Sequence, residues 1–477
     1  MLLMPELNFA YLFDKILLYE FSEVCIMSTQ DNNMQNNQIT EGVIWKQLLI
    51  FFFPIMVGTL FQQFYTTVDA IVVGRFVGKA ALASVGGSVF SITNLVIAVF
   101  TGLASGATVI ISQYYGAKDK ENIHSSLHTA FALALSAGLV VSIAGWILTP
   151  TILEAMNTPA EIIMDSIDYL RIYFTGLVAT VTYNAGAAIM RAVGDSKRPL
   201  RYLVICSFVN IVLDLIFVII FHMGIQGAAL ATVIAQVISS ILVVYALMKC
   251  YPELKLIPKD IRFDKEKLLA ELKIGLPASL QYLIFDISNV VVQTAVNNLG
   301  TDTAAAWSAY VKLDSVFWAV LGAFGIAVAT FTGQNYGAQL KDRVIKSVRV
   351  CMTMTLIICG GIQIFLMIFC RPLFYIFTTD LNVIDIGVYI IRELLPYYSF
   401  FVVIEILTGA LRGLGDVVIP TLITLGGVGF VRLPFTLILA PVYQHINIPI
   451  YSYAFSWGIT ALLLIPYYLH KKRQILK

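Results

Sequence analysis

Two stretches of this chain recur at one fixed distance. Arg191-Ala-Val-Gly194-Asp195-Ser-Lys-Arg-Pro199 returns 221 residues later as Arg412-Gly-Leu-Gly415-Asp416-Val-Val-Ile-Pro420. Ser112-Gln113-Tyr-Tyr115-Gly116-Ala117 returns at the same spacing as Gly333-Gln334-Asn-Tyr336-Gly337-Ala338, and Arg171 and Arg392 fall in step. A repeat this long is not a solenoid unit, so the chain is built from two related halves. Many membrane transporters have this plan.

The composition places both halves in a membrane. Hydrophobic residues make up 58% of the chain and charged residues 13%, against about 25% charged in a soluble domain. Apolar runs long enough to cross about 30 Å of hydrocarbon as helix lie near 44–75, 80–109, 125–150, 161–192, 200–222, 226–249, 267–299, 303–332, 344–370, 383–411, 420–441 and 449–470. Each half holds six. An even number returns the chain to its starting side, so the repeats run parallel about an axis along the membrane normal. The expected fold is an all-α membrane protein of twelve transmembrane helices in two parallel six-helix repeats. Its parts are an extension over 1–41 that is expected to be disordered, an N-lobe over 42–249, a charged cytoplasmic linker over 250–266, a C-lobe over 267–470 and a basic tail over 471–477. Residues 1–26 lack signal-peptide order, and Met27 is read as the physiological start. The two lobes bury each other, so a monomer suffices.

Lys and Arg set the orientation. One set of loops holds Lys118, Lys120, Lys197, Arg198, Lys255, Lys259, Lys341, Arg343 and Lys471 to Arg473 among others, while the opposite set holds Arg75, Lys79 and Arg371. The rule that basic loops stay inside makes both termini cytoplasmic. A net charge of +2 carries no nucleic-acid signature. The six cysteines show no Cys-x-x-Cys spacing, so neither a disulfide framework nor a metal knuckle is implied. His124 and His128, one helical turn apart, read as a solvated helix face rather than a metal pair. No nucleotide loop, nucleophile motif or zinc motif is present. The chain therefore reads as no enzyme, with no cofactor, and transport must draw on an ion gradient.

Acids inside membrane spans are costly and so mark function. Asp69 and Asp214 lie roughly 9 and 12 Å from the outer ends of helices 1 and 5, and Thr232 about 9 Å into helix 6. Asn210 shares a helix face with Asp214, and Asn184 on helix 4 is expected to meet Asn210 at mid-depth. Two nearby carboxylates in a low dielectric cannot both ionise cheaply, which suits a proton carrier. The same oxygens also suit Na⁺. The alternative is a structural network of two buried acids. At offset 221, Asn210 meets Val431 and Asp214 meets Phe435. The frame is duplicated but this cluster is not, which places ion coupling in the first lobe. Asp286 on helix 7 and Glu405 on helix 10 either line a wall for cations or pair with Lys312, Arg392 or Arg432. Pro54, fifteen residues before Asp69, and Pro277 break a backbone bond in helices 1 and 7 and mark kink or gating points. The Gly-Asp loops read as hinges. Asp195 and Asp416 are expected to cap the following helices and to pair with Arg191 and Arg412.

These residues resemble the multidrug and toxic compound extrusion (MATE) transporters of the MOP-type fold. The resemblance spans about Glu41 to His470. It rests on the two six-helix halves, Pro54 followed by Val68-Asp69, the Gly-Asp-x-x-x-Pro loops, Asn210-x-x-x-Asp214 and Gln-x-x-Gly-Ala after helices 2 and 8. It implies a prokaryotic multi-pass plasma-membrane antiporter that exports cationic amphiphiles against H⁺ or Na⁺ by rocking its lobes. In the branch with its ion site in the N-terminal lobe, the functional positions match Asp69, Asn184, Asn210, Asp214 and Thr232. Another branch uses acids in helices 7 and 10, to which Asp286 and Glu405 are not clearly matched. The rival readings are a lipid-linked oligosaccharide flippase of the same superfamily and an uncoupled metabolite exporter.

Overall fold

The structure, a computed structural model, describes residues 39–251 and 254–476. The start at Met27 and Cys25 lie outside the described residues, as does most of the expected extension. Among the described residues, twelve helices are long and apolar enough to cross a membrane: α1 Ile44–Phe76, α2 Lys79–Gly116, α3 Lys120–Ala155, α4 Ile163–Ala192, α5 Lys197–Ile220, α6 Gly224–Lys249, α7 Lys265–Asn297, α8 Thr301–Gly337, α9 Lys341–Phe374, α10 Leu381–Gly413, α11 Val418–Tyr443 and α12 Asn447–Leu476. Helix is the form an apolar chain must take where lipid offers its backbone no hydrogen bonds.

The apolar runs locate every helix, but several helices outlast their runs. α3 starts at Lys120, α8 continues to Gly337 and α12 continues to Leu476, so residues 471–476 of the expected basic tail continue the last helix. These extensions carry the charged residues, which water can solvate beyond the hydrocarbon. Side-chain caps fix some starts: Asp119 accepts from Asn122 N, Asp264 from Glu266 N and Lys267 N, and Asp380 from Asn382 N. α2 is interrupted at Gly87, between Lys79–Gly86 and Ser88–Gly116. α5 and α11 each contain a π-helical turn, at Leu215–Ile220 and Gly427–Arg432. Such turns concentrate at functional sites.

Helices α1–α6 and α7–α12 pack as two groups that meet through α2 against α7, α2 against α8 and α1 against α8. The α2–α7 seam is very close. A Cβ on Gly102 would lie 2.4 Å from Ser279 Cα, and one on Gly106 would lie 2.3 Å from the carbonyl of Glu271. Small residues four apart permit this approach, which is how membrane helices gain packing without a hydrophobic drive between them. Ser279 donates to Val99 O at 2.8 Å across the same seam. The first part of α1 also belongs to the seam: Phe52 stacks on Phe324 of α8 with ring centres 4.0 Å apart, and Phe51 meets Phe331 edge-on.

The linker is packed onto α3. Leu254 and Leu256 are buried, Ile257 N donates to His128 Nε2 at 3.0 Å, and Ser125 donates to Asp264 Oδ2 at 3.0 Å. This corrects the reading of His128 as solvated. It is buried, and its Nδ1 lies 2.7 Å from the carbonyl of His124. With both ring nitrogens engaged, it is a structural clamp. The last residues of the expected extension are also held by a partner: Arg343 of α9 donates to the carbonyls of Ile39 and Glu41, and to that of Gly42 where the N-lobe begins.

Candidate ion-coupling site

The site grows from three helices of the N-lobe. α5 turns one face into the lobe and fully buries Asn210 and Asp214 on it, one turn apart and just before the π-helical turn. α1 packs along α5 and brings Asp69, half-buried, to the same level. α6 runs back beside both and supplies Thr232. Asn210 Nδ2 donates to Thr232 Oγ1 at 3.4 Å, and Thr232 Oγ1 donates to Ala228 O at 3.1 Å. The carboxyls of Asp69 and Asp214 face each other closely enough for a hydrogen bond once one of them carries a proton.

Four of the five expected residues therefore converge. Asn184 does not join them: it is half-buried on α4, and among the described residues no hydrogen bond links it to the other four. The reason is helical rise. Asn184 lies 11 residues before Asp195, whereas Asn210 lies 15 after it, a difference of four residues or roughly 6 Å along the membrane normal. The expectation that Asn184 and Asn210 meet took depth as equal where it was not. In its place α4 offers Tyr169, whose hydroxyl lies beside Thr232 and near both carboxyls. Tyr65, one turn before Asp69, is buried beside it. No sequence signal singles out Tyr169, since a tyrosine one turn from Tyr173 on an apolar helix reads as core.

Among the described residues no protein donor reaches either carboxylate oxygen of Asp214, Oδ1 of Asp69 or Oδ1 of Asn210. Oxygens buried without donors are costly. A set of oxygens with one hydroxyl and no lysine or arginine attracts a small cation or a proton.

The C-lobe is arranged differently. Asp286 is half-buried, and Glu405 packs its carboxyl against Gly325. Neither pairs with Lys312, Arg392 or Arg432 among the described residues; Lys312 and Arg392 are exposed, and the basic neighbour of Glu405 is Arg412. Arg432 is 1% exposed. Its guanidinium lies 4.1 Å from the Tyr453 ring centre and 5.6 Å from that of Trp457, and its Nε donates to Ser456 Oγ. Tyr453 stands 221 residues after Thr232. A tethered cation on an aromatic face thus occupies the C-lobe region that corresponds to the N-lobe cluster. Asp314 is buried with one oxygen held by Tyr310 and Trp318. The sequence reading passed over this aromatic box because its members lie on α8, α10 and α12.

The Gly-Asp loops keep part of their expected role. Asp195 caps α5 through Lys197 N and Arg198 N, both at 3.1 Å, but its ion partner is Arg198 at 2.9 Å and not Arg191. Asp416 makes no such cap; it accepts from Tyr467 at 2.6 Å and pairs with Lys471 at 2.8 Å, not with Arg412. Each arginine precedes the left-handed glycine and stays on the helix the loop leaves, while the aspartate turns toward the next.

The MatE family model matches residues 54–216 and 277–438, one segment in each lobe, and the segments open on Pro54 and Pro277. The chain belongs to the MatE family. Its members are transporters rather than enzymes, and this chain is a multi-pass membrane protein of twelve spans. A protein of Bacillus subtilis (strain 168) described as probable multidrug resistance protein YoeA is 28% identical over 459 residues, which cover 94% of this chain and 99% of that one. A protein of Shewanella oneidensis described as an FAD transporter is 24% identical and covers 72% of this chain and 76% of its own. A solved structure described as the outward-facing conformation of a multidrug resistance MATE family transporter of the MOP superfamily superposes with a TM-score of 0.85 at 22% identity, over 92% of this chain and 98% of that one.

Proposed function

We propose that the protein is an ion-driven exporter of cationic amphiphilic compounds in a bacterial plasma membrane, with both termini cytoplasmic. The observation that carries this reading is the cluster of Asp69, Asp214, Asn210 and Thr232, in which the oxygens of Asp214, Oδ1 of Asp69 and Oδ1 of Asn210 are buried without a donor among the described residues and invite a cation. The coupling cation is H⁺ or Na⁺, and its site lies in the N-lobe. The resemblance of YoeA and other multidrug-resistance relatives to this chain supports small-molecule export.

The cycle follows from the geometry. α1 has two anchors: Phe51 and Phe52 hold its first part to α8 of the C-lobe, while the part with Asp69 packs on α5. Pro54 lies between them and lacks the amide that would donate to Ile50. Binding of a cation by Asp69 and Asp214 removes their mutual repulsion, draws the outer part of α1 toward α5 and changes the wall of the cavity between the lobes. Substrate leaves to the exterior. Rocking the lobes then exposes the pair to the cytoplasm, the cation departs, and new substrate enters against half-buried Asp286.

The test is ethidium efflux from vesicles under a pH gradient alone, a Na⁺ gradient alone and neither. Efflux should follow one gradient, and Asp69→Asn or Asp214→Asn should abolish that dependence. Efflux that proceeds equally without a gradient would exclude antiport.

A further inference from the structure

The repeated Gln-x-x-Gly-Ala motif has a contact that accounts for it. Gln113, in the last turn of α2, donates its side-chain amide to the carbonyl of Gly413 at 2.8 Å. Gln334, in the last turn of α8, donates to the carbonyl of Ala192 at 2.7 Å. Gln334 follows Gln113 by 221 residues, and Gly413 follows Ala192 by the same 221. One hydrogen bond is therefore made twice across the pseudo-two-fold axis, each time from one lobe into the other. We infer that Gln113 and Gln334 are a reciprocal latch that holds the lobes closed at the end bearing the basic loops, and that both bonds must break before the transporter opens on that side. This rests on the alternating-access reading above.

The acceptors explain why the latch sits where it does. Ala192 is the last residue of α4 and Gly413 the last of α10. The final carbonyls of a helix have no partner within it and lie at the negative end of its dipole. Each glutamine fills one such vacancy in the opposite lobe. The glycines make the approach possible. A Cβ on Gly116 would fall 2.0 Å from the carbonyl of Gln334, and one on Gly337 would fall 1.9 Å from the carbonyl of Gln113. The Gly-Asp loops lie directly over the bonds. Gly194 and Gly415 are left-handed, with φ of +93° and +81°, and a Cβ on Gly415 would be 3.6 Å from the Gln113 amide. The two repeated motifs thus form one device: the glutamine hook of one lobe and the glycine-turned helix end of the other.

The bonds are reversible because of their depth. They lie within a few residues of Lys118 and Lys341, where water can replace the amide and the carbonyl partner as the lobes part. The net cost of exchanging such a bond for water is small, a factor of about five in population. The same bond in mid-membrane would have no substitute partner.

The test measures lobe separation and not transport. Spin labels at Glu121 and Asp342, exposed positions that correspond at offset 221, report the distance across the closed end in the full chain in lipid nanodiscs. Gln113→Leu and Gln334→Leu should each raise the separated population about fivefold, to the same extent, and the double variant by about 25-fold or more. Gln113→Glu and Gln334→Glu keep the size of the side chain and place a carboxylate against a carbonyl, so each should open that end at least as far. An unchanged distance distribution in both the double leucine and the glutamate variants would overturn the latch. So would a shift from one glutamine with none from the other. Because the readout needs no coupled ion, a null result with Asp69- and Asp214-dependent efflux intact would remove the latch and leave the proposed function standing.

Discussion

Asp214 and Asn210 lie on one helix face and have different surroundings. Asn210 donates its amide to Thr232 and its oxygen is buried without a donor, while Asp214 has no protein donor among the described residues. On the proposed reading Asp214 carries the exchanged charge and Asn210 supplies one neutral oxygen. Asn210→Ala should therefore weaken the half-saturating concentration of the coupling ion by about tenfold, the loss of about 1.4 kcal/mol, and leave efflux at saturating gradient largely in place. Ion titration of efflux in vesicles separates this from Asp214→Asn, which should remove ion dependence at every concentration. If Asn210→Ala abolished maximal efflux as fully as Asp214→Asn, the division of roles would be wrong. Asp69, Asp214, Asn210 and Thr232 were legible in the sequence because charge and amide stand out in an apolar helix. Tyr169 was not, because a tyrosine on an apolar helix face looks like core, and only the packing of α4 against α6 turns its hydroxyl toward Thr232.

At the level of elements, the α3–linker–α7 corner joins the lobes through Asp264. Its backbone amide donates to Thr129, its side chain accepts from Ser125, and it caps α7. The Lys267 amide first, and then the Ser125 hydroxyl, hold its carboxyl below the usual carboxylate range. A carboxyl whose folded pKa is depressed stabilises the fold fully above its unfolded value, about 3.9, and this contribution is lost as pH falls through the lowered folded value. Asp264→Asn should thus melt a few degrees below the parent at pH 7, and the gap should close toward pH 3. Melting curves in detergent at the two pH values check this; a gap that stays constant would mean that the charge of the cap contributes nothing. The sequence showed a charged linker here and nothing of its docking, since Leu254 and Leu256 are too short a pair to read as core without α3 and α6 around them.

The whole molecule is a duplicated frame with unequal contents. The frame is repeated at the glutamine hooks and the glycine-turned loops, and nearly in step at the helix prolines. Its contents diverge in the lobe interiors, an acid pair in the N-lobe and a stacked guanidinium in the C-lobe. The closeness of the seam gives a direct prediction. Gly116→Ala places a methyl against the backbone of Gln334, whereas Gly322→Ala on α8 meets nothing within 4 Å. The first should cost about 1–3 kcal/mol of stability in the closed form and the second almost none. Thermal unfolding of the two variants in the same detergent decides it, and equal melting would show that the seam relaxes without cost.

The sequence by itself determined the twelve helices, their division into two halves and the acids worth watching. Hydrocarbon leaves an apolar run no other backbone form, and a buried charge is too expensive to be incidental. Only the tertiary structure decided which polar residues share a depth, which arginine finds an acid and which is left stacked on rings, and that Gln113 and Gln334 reach into opposite lobes. Those outcomes depend on differences of a turn or two in helix register, a few ångströms that hydrophobicity does not encode but that fix whether two side chains touch.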